Sequence, residues 1–552
     1  WHLPNMPWLF IFVLLVGAAA WMAWQRRSAL WTVLAGLVAW SAVVSLYEPW
    51  HIPALPWIVI AGLFGVAGWK LGGWRLALLS VGFILYAAFI GEPAEKVGAQ
   101  TRWDKTMITL SAVLVAVPIA ALIGGIIGLV AAKRRRVEQF LIPVMNLTQA
   151  FPHFTFLIPI GVFIGLSHKA GVIATIVYAI PPMARVTILG IQGIAPEIRE
   201  AGIMGGCTPR QMLWKVELPA ARQALLVGIN QVVMECLAMV VIASFVGTAG
   251  LGQDLLFRLT GLHIGAGVEI GIAIVVMAIT LDRLSQGLGR LQPIHHADGV
   301  PFWKRHPYLL ASGAVVAGGL ILARLWDAAH RIPNSWMWGH EQYWETWRRW
   351  GTENIRDYTI GFRDHLENWI LLPMRDAYLT IPWVGLVLLF GAVGYLINGR
   401  RPALLAGGMI AFISLTGFWW QAMWNFYQLT FAVLLAVIFG VPLGIWAAST
   451  ARRNAGMQVL LDFFQTFPSF VYLFPAIMFF GVSETAIIVA VVLSASVPAI
   501  RYTIFGIQNV PEPLVEAATM AGCSRRQTLW KVKLPMAVPE IMLGINQTIM
   551  FG

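Results

Sequence analysis

Charge is what this 552-residue sequence has least of. Charged residues make up 12% of it, about half the usual share of a soluble protein. So few cannot cover a large water-facing surface. Cysteine is also scarce. Cys207, Cys236 and Cys523 are too few for a disulfide framework. No lysine follows a glycine anywhere in the chain, which excludes the Gly-Lys pair of a phosphate-cradling P-loop. Any nucleotide hydrolysis must then belong to a separate subunit.

What is present is apolar. Hydrophobic residues reach 58%, and many runs have the 18 or more residues, roughly, that cross a bilayer. The 26 tryptophans fit the same class, because Trp gathers at membrane interfaces. The chain therefore reads as an all-α polytopic membrane protein. Its net charge of +12 would suggest nucleic acid in a soluble chain. Here most Lys and Arg lie in short loops between apolar runs, so the positive-inside rule accounts for it and no nucleic-acid partner is expected.

The sequence repeats. Shifted by 316 residues it matches itself without a gap, with 37 identities in 83 positions over 149–231. QAFPHFTFLIP at 149–159 lies over QTFPSFVYLFP at 465–475, and GINQ at 228–231 over GINQ at 544–547. Weaker similarity reaches back to Trp103 over Trp419. Expected spans are 8–24, 29–46, 55–69, 74–91, 107–132, 141–166, 170–190, 222–248, 268–289 and 308–326. The second copy adds 380–398, 402–420, 423–448, 458–482, 485–506 and the start of one from 538. Threaded alternately, they place Arg26, Arg27, Lys70, Arg75, Lys133, Arg400, Arg401, Arg452 and Arg453 on one side, the cytoplasmic one by the positive-inside rule. Glu48, Glu92 and Glu95 fall opposite, as does the hydrophilic segment 327–379. The start at Trp1 and the stop inside an apolar run at Gly552 suggest truncation at both ends.

Both copies hold a polar loop on the basic side. EAGIMGGCTPRQMLWKVELP fills 200–219 and EAATMAGCSRRQTLWKVKLP fills 516–535. Helix formers precede a Gly, and a Pro follows, so a short helix, a turn, and a second helix stopping near Pro219 or Pro535 are expected. This pattern resembles the EAA coupling loop of ABC importer permeases. The segments around it, with MVVIASFVGTAGLGQ and LDRLSQGLGR, look like the glycine betaine/proline branch of that family.

The resemblance implies tandem type I ABC importer transmembrane domains in a bacterial inner membrane. It implies that Glu200, Ala201, Gly206, Glu516, Ala517 and Gly522 couple to two ATPase subunits, which carry the ATP and Mg. This chain itself would hold no cofactor and no metal. An external substrate-binding protein is implied as a third partner, and nothing in the chain looks like that soluble domain. The substrate would be a small compatible solute such as glycine betaine, choline, proline or trimethylamine N-oxide.

The expected organisation is 1–91 as additional N-terminal helices and 92–290 as a first permease domain with its loop at 191–221. A linker, 291–379, carries one transmembrane helix and an external amphipathic segment. A second domain, 380–552, has its loop at 507–537 and lacks its last helices. An ion-gradient-driven secondary transporter is the alternative, since such folds also repeat. It would call for inverted repeats and several buried charges, whereas the copies here share one orientation.

Within the membrane the candidate pathway residues are Gln149, Phe151, Glu235, Gln465 and Phe467. Pro152 and Pro468 would bend their helices and free backbone carbonyls, although helix packing explains the same residues. Glu235 stands about 20 Å into its span at helical rise, a depth at which an ionisable group usually faces a cavity or a partner. The second copy has Phe551 there. Trp419, Trp420, Trp424 and Tyr427 suit either a methylated ammonium group or an interfacial aromatic belt. Six tryptophans among charges in 336–369 read as amphipathic helices on the outer leaflet, or as a docking platform. His295 and His296 are too few for a metal site.

Overall fold

The computed structural model describes residues 55–91, 101–244, 247–261, 263–291, 301–330, 332–339, 341–466 and 469–551. The expected spans 8–24 and 29–46, the carboxylates Glu48, Glu92 and Glu95, the pair His295 and His296, and Phe467 with Pro468 lie outside the described residues. The described residues are helical almost throughout, with one isolated bridge between Ile90 and Trp338 and no strand. They fall into two compact units divided between Trp344 and Glu345.

Unit one runs α1 (Trp57–Phe89), α2 (Arg102–Lys133), α3 (Arg135–Ala150), α4 (His153–Ile164), α5 (His168–Gln192), α6 (Pro196–Met204), α7 (Arg222–Ala243), α8 (Leu251–Thr260), α9 (Ile264–Arg290) and α10 (Pro307–Leu325). α11 (Glu341–Asn354) carries the boundary. Unit two continues with α12 (Arg356–Leu366), α13 (Leu372–Leu379), α14 (Trp383–Asn398), α15 (Arg400–Leu415), α16 (Trp419–Ala448), α17 (Ala451–Thr466), α18 (Leu473–Phe480), α19 (Glu484–Gln508), α20 (Glu512–Met520) and α21 (Leu534–Phe551). Eight helices among the described residues are long and apolar enough to cross a membrane, with α1 counted as one across its break, or ten if each of two bent pairs is one span.

α1 is two helices rather than one. Gly73 sits at φ 73° and ψ −163°, a conformation that L side chains avoid. Phe64 and Phe83 then stand with ring centroids 6.0 Å apart, where a straight helix would separate them by roughly 28 Å. The legs 57–72 and 74–89 thus correspond to the expected spans 55–69 and 74–91. α14 and α15 form a second such hairpin about Gly399, at φ 78°. Both turns are followed by an Arg two residues on and by Ala-Leu-Leu from the fourth (Arg75 with Ala77 to Leu79, Arg401 with Ala403 to Leu405). Gly399 follows Gly73 by 326 residues instead of 316, so sequence matching at a fixed shift passes over this part of the repeat.

Lipid gives helices no hydrophobic reason to associate, so close backbone approach at small residues has to supply the packing. A side-chain carbon at Gly124 would stand 2.7 Å from the Ile180 carbonyl oxygen of α5, and one at Gly128 2.6 Å from that of Ala184. Gly440 and Gly444 of α16 meet Ala499, Thr503 and the Ile500 carbonyl of α19 in the same way. α7 closes on the other side of α5, with Gly190 against Ala224 and Gly228 against Met183. Polar links recur too. Arg185 donates to Asn146 and Gln192 to Glu138, while Arg501 donates to Asp462 and Asn454 to Gln508. Each pair ties the helix before the bend (α3 or α17) to the central helix (α5 or α19).

The expected spans 141–166 and 458–482 are not straight. α3 and α4 meet at 94°, with Phe151 extended at φ −75° and ψ 134°. Pro152 is the cause, since it lacks an N–H and disfavours helix in the residue before it. In unit two the helix is interrupted between α17 and a single 3-10 turn at Ser469–Tyr472.

The segment expected on the outer leaflet is docked onto helix ends. In unit one, the Trp338 N–H donates to the Phe89 carbonyl at 2.8 Å and Gly91 to that of Trp338 at 3.1 Å. In unit two, the Thr359 hydroxyl donates to the Phe479 carbonyl at 2.6 Å. Glu367 accepts from the backbone N–H and the hydroxyl of Thr485 at 3.2 and 3.0 Å, at the start of α19.

Gly128→Val should destabilise unit one by about 1–3 kcal/mol through overpacking against α5. Gly313→Val on α10, where an added carbon meets nothing within 4 Å, should change little. Thermal unfolding of the two variants in detergent checks this, and equal midpoints would contradict the packing account.

Candidate functional site

The two repeated loops fold alike from the residues upward. α6 opens with Pro196 and α20 with Pro513 in the first turn, where a missing N–H is harmless. Each helix ends in a Schellman turn that needs a positive φ: Gly206 at 70° and Gly522 at 79°. The Gly206 N–H donates to Ile203 and the Cys207 N–H to Gly202, at 2.9 and 3.1 Å. Gly522 and Cys523 donate to Thr519 and Ala518, both at 3.0 Å. Thr208 with Gln211, and Ser524 with Gln527, then form capping boxes, which restart the chain as helix.

The second helix does not stop at the proline. It widens into a π-type turn, Met212–Glu217 or Leu529–Lys533, and the proline follows as second residue of the next helical segment. Pro535 thereby begins α21, and Pro219 leads into α7 past a break at Ala221. The wide turn accommodates a residue that has no N–H to donate.

Glu200, Ala201, Gly206, Glu516, Ala517 and Gly522 are all exposed. Beside them Met204 is 83% and Met520 90% exposed. These fractions are far above what a buried loop would show, so each loop presents an apolar knob next to a carboxylate. Gly202 and Ala518 are the buried residues of these two helices.

Glu217 escapes notice in the sequence. It is buried, 3.3 Å from the Lys133 ammonium and 3.6 Å from the Arg199 guanidinium. It thus braces α6 against the end of α2. The signal that could have found it is a charge reversal inside nearly identical loops, because copy two has Lys533 there, with Val515 and Ser449 in place of the two cations.

Gln149 is half-buried in the last turn of α3 and Gln465 exposed in that of α17. Phe151 is exposed at the bend, with its ring 6.3 Å from that of Phe156. Glu235 lies half-buried on α7. Three of the four aromatic residues come together: Trp420 and Trp424 are 4.7 Å apart and Trp424 and Tyr427 6.4 Å, while Trp419 is half-buried at the start of the same helix. The face of Trp424 is already occupied by a cation. The Arg375 guanidinium stands 4.9 Å over Trp424, and fully buried Tyr427 donates to Glu484. The loops and the mid-membrane residues occupy different heights in each unit, joined by α7 and α21.

The profile of the family described as binding-protein-dependent transport system inner membrane component matches residues 124–292 and 440–551. The matches begin at the equivalent residues Gly124 and Gly440. The chain belongs to this family. This permease is 41% identical to the trimethylamine N-oxide transport system permease protein TmoV of Ruegeria pomeroyi over 504 residues, 91% of this chain and 75% of that one. It is 37% identical to the glycine betaine transport system permease protein OpuAB of Bacillus subtilis over 235 residues, 42% of this chain and 79% of that protein. Over 228 residues it is 37% identical to the glycine betaine/proline betaine permease ProW of Salmonella typhimurium, 41% and 62% of the two chains. The ion-gradient alternative is not favoured.

Glu217→Lys, which installs the residue of copy two, should loosen the first loop of the permease by on the order of 1 kcal/mol. Three cations would then meet without a carboxylate. Hydrogen exchange of the 196–220 amides measures this; protection equal to that of the unaltered chain would remove the brace.

Proposed function

We propose that this permease moves a small methylated amine of the compatible-solute class, trimethylamine N-oxide foremost, across a bacterial inner membrane. An external binding protein delivers the solute, and two ATPase subunits that hold ATP and Mg drive the transport. The observation that carries the reading is the doubled loop. One chain presents two exposed Glu-Ala helices, α6 and α20, each ended by a glycine turn, after which a π-type turn leads into a membrane helix, directly into α21 and past a break at Ala221 into α7. Force applied to such a loop passes directly into the bundle. Relatives named for trimethylamine N-oxide and glycine betaine support the solute class.

Because both copies are in one polypeptide, the assembly should contain one permease chain and two ATPase subunits. Native mass measurement of the purified complex tests this, and two permease chains per complex would overturn it. Replacing Glu200 and Glu516 together by Ala should leave the helices folded. It should reduce ATPase stimulation by loaded binding protein by about tenfold, the order of two lost charged contacts of 0.5–1 kcal/mol each. Unreduced uptake in the double variant would rule out coupling through these carboxylates.

A further inference from the structure

Among the described residues of unit one, every other carboxylate that meets the packed helices has a cation or a hydrogen-bond donor against it. Glu269 takes Arg102 at 2.8 Å, Asp254 takes Lys105 at 2.8 Å, Glu217 takes Lys133 and Arg199, and Asp282 accepts from Gln286. Glu235 is the exception. None of the described residues gives its carboxylate an ion pair or a hydrogen bond. An ionisable group at that depth marks a pathway when nothing structural explains it.

The packing register shows what stands beside it. α5 and α7 are antiparallel, with Gly190 on Ala224, Gly228 on Met183 and Gly171 on Ala243. Tyr178 is therefore level with Glu235. The His153 ring of α4 lies 4.3 Å from the Tyr178 ring, tilted by 34°. Phe156 meets Tyr178 edge-on at 5.6 Å, and Phe151 stands behind Phe156. All four of Glu235, Tyr178, His153 and Phe156 keep some accessible surface. The bend at Pro152 is what aims α4 across the bundle, so that these rings converge on α5 opposite the unpaired carboxylate.

Copy two does not repeat this set. The positions equivalent to His153, Tyr178 and Glu235 are Ser469, Ser494 and Phe551, and Phe156 is matched by Tyr472. Tyr472 donates to the Phe464 carbonyl of its own unit. The set therefore belongs to the first copy alone.

We propose that Glu235, Tyr178, His153 and Phe156 form a membrane-embedded recognition site for a methylated ammonium headgroup, present in the first copy and absent from the second. The carboxylate supplies the missing counter-charge, and the ring faces contact the methyl groups, whose positive charge is spread over their hydrogens. The site rests on the reading of this chain as a methylated-amine permease, and it adds a place where the solute pauses after leaving the binding protein.

The test uses the complete transporter in proteoliposomes with radiolabelled trimethylamine N-oxide and glycine betaine. Uptake and ATP hydrolysis are read separately, and the affinity of the binding protein alone is checked. Glu235→Gln should lower uptake of both solutes by about tenfold, as expected for loss of the counter-charge, while ATPase stimulation by loaded binding protein stays within about twofold. Tyr178→Phe, which keeps a ring face, should transport several-fold faster than Tyr178→Leu. Ser494→Ala in copy two should transport normally. If Glu235→Gln reaches the membrane poorly, the ranking of the two Tyr178 variants decides. Full uptake by Glu235→Gln, or equal uptake by Tyr178→Phe and Tyr178→Leu, overturns the site. Failure of the unaltered chain to transport either solute would instead overturn the reading of its function.

Discussion

The structure depends on backbone-to-backbone contact between helices that have nothing to gain from leaving lipid. Water pushes apolar surfaces together, but hydrocarbon does not. What remains is close packing, and Gly124 and Gly128 allow it in unit one as Gly440 and Gly444 do in unit two. Contacts at such range leave little freedom for sliding. Once α2 and α7 are seated against α5, the height of every residue on them is set. Tyr178 comes level with Glu235 for that reason, although 56 residues separate them in sequence.

The prolines act on this frame in two ways. Pro152 turns the chain by nearly a right angle and carries the aromatic residues of α4 across α5. Pro219 and Pro535 would break a regular helix, yet each is preceded by a π-type turn that keeps the helix going. The loops thereby remain mechanically joined to the membrane helices, as a device that converts loop movement into helix movement requires. Glutamate, methionine and glycine at the loop tips provide a charged and apolar surface with a sharp turn, all of it exposed.

Two copies in one chain can differ where two identical subunits cannot. The loops have stayed nearly the same, while Glu217 against Lys533, Tyr178 against Ser494 and Glu235 against Phe551 have not. Residues shared by both copies include those that form the glycine turns and the close helix packing. The differing ones are where one half can do something the other does not.

The sequence by itself determined the class, the repeat and the two matching polar loops. Composition, hydropathy and a loop motif printed twice are properties of residues near each other in the chain, and local physics reads them directly. The hairpin at Gly73 was legible as two spans, because a helix breaker between two apolar runs leaves few choices. Its counterpart at Gly399 was legible as two apolar runs but not as a repeat, since ten residues of connection shift it out of register. Only the tertiary structure decided the 94° bend, the bracing of Glu217 by Lys133 and Arg199, the occupation of Trp424 by Arg375, and the meeting of His153, Phe156 and Tyr178 at the level of Glu235. Those arrangements depend on which helix faces which, and at what height. That is fixed by backbone packing between segments far apart in sequence, on which the local pattern of any one segment is silent.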